Sequence, residues 1–123
     1  MEPFQGVNMQ GKHRFAILHC AFAAVALTGC AHNPQFSGQS VTDPVLRQDV
    51  MKNVELLFSA MTQCRSIDAV NTSITGIHQL PSGAVERASE TWDVTGCGVS
   101  KAYTVEMRSD ARGETDFSVS PQR

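Results

Sequence analysis

TDPVLRQDVMKNVELLFSAMTQC, residues Thr42 to Cys64, is the stretch whose reading decides the fold. Thr42 or Asp43 can offer a side-chain oxygen to the unpaired amides of a first helical turn, and Pro44 suits the first helical position because its missing N–H would have no partner there. Leu46, Val50, Val54, Leu57, Phe58 and Met61 then recur three and four residues apart, while Arg47, Gln48, Lys52 and Asn53 take the opposite side. The spacing predicts an amphipathic helix from Pro44 to about Gln63. Such a stripe can bind a partner helix or a lipid surface, but in a domain this short of core it is expected to face inward.

Beyond Ile67 the period drops from near 3.6 to near 2. Val70, Thr72 and Ile74 alternate with Asn71, Ser73 and Thr75, a half-buried strand with Gly76 marking a bulge or bend. Leu80-Pro81-Ser82-Gly83 is a turn signal. Val85 to Cys97 follows, with Ala88, Glu90, Trp92 and Val94 on one parity, and then Lys101 to Arg108, with Tyr103, Val105 and Met107 opposite Thr104, Glu106 and Arg108. Asp110 to Gly113 reads as a hairpin turn, Thr115 to Val119 closes the sheet, and Ser120 to Arg123 is expected to fray. The expected architecture for residues 42–123 is α+β: one amphipathic helix packed on a four-stranded antiparallel sheet, after an N-terminal signal segment.

Upstream, Lys12, His13 and Arg14 precede an apolar run from Phe15 to Leu27, the layout of an export signal. A membrane span takes about 20 apolar residues, and this run is shorter and broken by His19. Met9 is an alternative start that shortens the basic region. The ending Leu27-Thr28-Gly29-Cys30 resembles the lipobox of bacterial lipoproteins. The resemblance implies cleavage before Cys30 and acylation of its thiol and new amine. It makes residues 1–29 a lipoprotein signal peptide and Cys30 the lipidation site, with the membrane as a partner through that residue. Several acyl chains hold a protein firmly, because each buried methylene contributes roughly 0.8 kcal/mol. In that family an aspartate after the cysteine favours the inner membrane, so Ala31 implies an outer-membrane lipoprotein facing the periplasm.

Residues 30–41 read as a flexible tether, with Asn33-Pro34, Gly38 and Phe36 as the lone large apolar group. The rest is one small domain with a marginal core. The formal net charge is −2, and removal of Lys12, Arg14 and Glu2 with the leader makes it one unit more negative. No basic field is left to attract nucleic acid. With Cys20 in the discarded segment and Cys30 lipidated, Cys64 and Cys97 form an even pair in an oxidising compartment, and a Cys64–Cys97 disulfide is expected. It would staple helix to sheet and contribute about 3 to 4 kcal/mol in the chain-entropy model. A redox pair lacks C-x-x-C spacing, and only His32 and His78 remain to help hold a metal, so neither metal nor cofactor is expected.

The pattern Glu90-x-Trp92-x-Val94-x-x-Cys97-Gly98, then Tyr103-x-Val105 and Gly113-x-Thr115-x-Phe117, is similar to one found in small, largely uncharacterised bacterial lipoproteins. That likeness implies a fold and an envelope location and carries no activity. Trp92 and Tyr103 are the aromatics available to line a sugar or peptide groove, against the plainer role of core packing. His78 with Ser82 and Asp68 or Glu86 lacks a nucleophile-elbow pattern, and Glu86, Glu90 and Glu106 on an open sheet read as a solvated face. Asp110 to Glu114 supplies too few acidic ligands for calcium. Two function classes remain. The expected one is a non-catalytic binding or assembly module for an envelope protein or cell-wall polymer. The alternative is a small periplasmic enzyme or ligand-binding protein with a pocket near His78, Glu86 and Glu106.

Overall fold

A computed structural model describes residues 33–123. Five strands and one helix follow in the order β1 (Gln35–Gly38), α1 (Pro44–Thr62), β2 (Ala69–Gln79), β3 (Val85–Gly96), β4 (Val99–Ser109) and β5 (Thr115–Pro121). The sheet order is β1-β2-β3-β4-β5. β2 to β5 form the expected antiparallel meander, but β1 pairs parallel with β2, from Gln35 opposite Ala69 to Gly38 opposite Thr72. The sheet is therefore mixed and five-stranded, not four-stranded and antiparallel. Part of the segment read as tether is a strand, and β1–α1–β2 is a parallel crossover unit.

Two features explain that difference. Phe36 packs edge-on against Trp92, ring centroids 5.8 Å apart at 82°, which gives the strand a large apolar contact that its polar neighbours concealed. Gly38 sits at φ 91°, and a Cβ there would run into the backbone carbonyl of Thr72. Glycine here permits close strand approach, a role indistinguishable from tether flexibility in a sequence.

α1 starts as the spacing predicts: the Asp43 side chain accepts from the Leu46 amide at 2.8 Å, and Pro44 holds the first position. It ends at Gln63, which adopts the left-handed conformation with φ 65°. Val50, Met51, Val54 and Phe58 are buried against the sheet, with Leu46 and Leu57 half-buried beside them. Met61, expected in the stripe, is 44% exposed and Met51 takes the inward place. The sheet contributes Val70, Ala88, Trp92, Val94, Tyr103, Val105 and Met107 to the same core.

The bulge falls where Gly76 predicts it, as a register shift between Ile74 and Gly76. Cys97 and Gly98 link β3 to β4 with positive φ at both, 52° and 73°. That is the backbone a two-residue hairpin of right-twisted strands demands. Cys97 thus occupies the turn, and its bond to Cys64, with Cα atoms 6.0 Å apart, ties the end of α1 to that turn. The C-terminus is more ordered than expected. β5 runs to Pro121, the Gln122 amide donates to the Ala102 carbonyl at 2.9 Å, and its side chain bridges Thr91 and Thr104.

Candidate functional site

α1 covers one face of the sheet and leaves the other to solvent. Register places Ser73, Thr91, Thr104 and Ser120 side by side across β2 to β5 on that outer face. A second rung holds Gly76, Ser89, Glu106 and Ser118, and a third His78, Arg87, Arg108 and Asp116. Alternation produces this array directly: the residues between the buried Val70, Trp92, Tyr103 and Val105 must point outward. The result is a row of hydroxyls through the middle of the face and mixed charge toward the hairpin end.

Three of the residues singled out in the sequence meet near that end. His78 Nδ1 lies 3.7 Å from Glu86 Oε1, an exposed contact of small energetic value. Ser89 Oγ donates to Glu106 Oε1 at 2.7 Å. An open depression of about 290 Å³ is lined by His78, Arg87, Ser89 and Glu106 among others. Arg87 and Arg108 stand directly opposite on neighbouring strands, and Arg87 Nε is 3.6 Å from Glu86 Oε2.

Glu90 does not join them. It is fully buried on the helix side, not part of a solvated face, and each of its polar contacts comes from a donor. The Val41 amide reaches Oε1 at 2.6 Å, while Ser40 Oγ and Trp92 Nε1 reach Oε2 at 2.9 and 2.8 Å. Because Ser40 has one hydroxyl proton and gives it to Glu90, the 2.7 Å contact between Ser40 and Thr42 requires Thr42 to donate. The Thr42 oxygen then accepts from Arg47 Nε at 3.3 Å, and the Arg47 guanidinium lies 5.3 Å from the Phe36 ring centroid. This relay joins α1, the β1–α1 connection and β3, and such chains polarise one another cooperatively. The sequence carries a signal for it: a glutamate on the inward parity of a strand, two residues from a tryptophan.

Trp92 and Tyr103 are fully buried and offer no surface to a ligand. Trp92 spends its N–H on Glu90, and the Tyr103 hydroxyl donates to Met61 Sδ at 3.7 Å. Burial raises the Tyr103 pKa above its ordinary value. At the far turn the Asp110 carboxylate accepts from the amides of Arg112 and Glu114 at 2.8 and 2.9 Å. Those bonds, the Glu114 amide foremost, hold its pKa below the usual carboxylate value. Asp110 therefore works as a turn cap. Cys30 lies outside the described residues, as does the signal segment. Among the described residues no group of three His, Cys, Asp or Glu side chains is arranged to hold a metal ion, and no helix is long and apolar enough to cross a membrane.

Compared with protein-family models, with curated proteins and with solved structures, the chain finds no match.

Proposed function

We propose that the protein is a lipid-anchored cell-envelope module, held through an acylated Cys30 in an outer membrane and facing the periplasm. In this reading it binds an envelope protein or cell-wall polymer through the uncovered sheet face and does no chemistry on it. The observation that carries the proposal is the outer face itself, a broad polar surface on a rigid meander with hydroxyls in a row across four strands. Rigid, hydroxyl-rich surfaces bind partners at low entropic cost because short side chains have few rotamers to lose. The signal pattern ending at Cys30 supplies the location.

The competing reading, a small enzyme or ligand-binding protein, draws on the depression shared by His78 and Glu106. Its groups are already engaged or exposed: Ser89 occupies Glu106, and His78 stands in solvent beside a half-buried Glu86. Affinity capture of the full-length protein from detergent-solubilised membranes separates the two. A stoichiometric partner lost in Thr104→Arg and retained in a His78→Ala, Glu106→Gln double variant supports the binding module. The reverse pattern supports the pocket, and recovery of no specific partner removes the proposal.

A further inference from the structure

β1 gives the domain a direction. Gln35 pairs with Ala69, the first residue of β2, and its amide donates to the Asp68 carbonyl at 2.9 Å. The chain therefore enters at the end of the sheet where β2 begins, β3 ends and β4 begins. The same end carries the Cys97-Gly98 turn and, because α1 runs back against β1 to its bond with Cys97, the last turn of the helix. The Leu80–Gly83 and Asp110–Gly113 hairpins lie at the opposite end. β2 alone is 11 residues long, roughly 35 Å of strand.

Only four peptide units connect Cys30 to Pro34, a reach of at most ~14 Å when fully extended. The leash is therefore much shorter than the sheet. Exposed apolar side chains stand at both ends, Leu56, Met61 and Val99 toward the entry and Val45, Ile77 and Leu80 toward the hairpins, so it is the short leash that selects the entry end. Exposed apolar groups suit the boundary between headgroups and acyl chains.

We propose that the disulfide-bridged end of the domain docks on the lipid surface that holds Cys30, with Val99 at the contact and both distal hairpins directed away from it. The proposal rests on the lipid-anchor reading and adds the docking face and the orientation. It presents the hairpin end of the outer face, with His78, Arg87 and Arg108, to whatever lies beyond the membrane.

The test uses full-length processed protein in vesicles of phosphatidylethanolamine and phosphatidylglycerol, with and without bromine on the acyl chains. Trp92 is the lone native tryptophan and is fully buried, so added tryptophans report on their own positions above its constant background. Emission from Val99→Trp should fall about two-fold on bromination, as expected of a side chain at the acyl boundary, while Ala111→Trp in the distal turn stays unchanged. Leu56→Trp, on the helix, serves as a second reporter should Val99→Trp fail to fold. Quenching of Ala111→Trp equal to the proximal reporter means that the domain lies flat, and absence of quenching at either proximal position means that it stands clear of the lipid; either overturns the docking. Mass spectrometry of the same sample separates the two levels: an acylated Cys30 with unquenched reporters sinks the docking alone, whereas a bare Cys30 sinks the anchor and the docking with it.

Discussion

Glu90 receives an indole N–H inside the core and an amide and a hydroxyl from half-buried Val41 and Ser40, so removing it strands the Trp92 N–H away from water and breaks two further bonds. Each buried group left unpaired costs about 1–3 kcal/mol. Glu90→Ala should therefore lower unfolding stability by about 2 kcal/mol or more in urea titrations, far beyond an exposed carboxylate such as Glu55. Asp110 acts on the opposite face of the energy balance. Its pKa is lowered in the folded chain from the ordinary 3.8, so the stabilisation it contributes is present above that value and is lost as pH falls through the lowered one. The stability difference between wild type and Asp110→Ala should be steady at neutral pH and shrink below about pH 4, where thermal melts at a series of pH values will reveal it. A difference that persists at pH 2 would assign the effect to backbone conformation rather than to charge.

At the scale of elements, β1 is the piece most exposed to a single substitution. Gly38→Ala meets both a positive φ and the Thr72 carbonyl, and should cost about 2 kcal/mol, read as a lower urea midpoint. The same change at Gly83, also at positive φ but with open space around it, should cost less. The disulfide joins the end of α1 to the β3–β4 turn across a separation of 33 residues. Cys97→Ser should lower the melting temperature by roughly 10 °C or more. Equal stability of the variant would remove the bridge from this account. The helix and the four meander strands were legible beforehand because periodicity, a proline at the first helical position and turn residues all pointed the same way. β1 was not, since four residues with one aromatic carry no periodic signal, and a parallel pairing has no turn to announce it.

For the whole molecule, the core lies between α1 and the middle of the sheet, and β1 and β5 are the edges. Amides of β3 and β4, paired on both sides and backed by Trp92 and Tyr103, should exchange slowest with deuterium, and those of β1 and the outward side of β5 fastest. Uniform exchange across all five strands would contradict this layering. The outer face is equally a property of the whole: its rows exist only once β2 to β5 are in register, because a slip of one residue would send Thr91 and Thr104 into the core.

Local chemistry determined where the helix starts, which residues of each strand face inward, where the sheet bulges and which two cysteines of the domain pair, since each of these depends on neighbours a few residues away or on simple elimination. Tertiary structure alone decided that residues 35–38 become an edge strand, that Glu90 is a buried acceptor instead of a solvated charge, and that Trp92 and Tyr103 are closed to ligands. These depend on contacts between segments far apart in the chain, Phe36 with Trp92 and Val41 with Glu90, whose free energy does not exist until the backbone has brought them together.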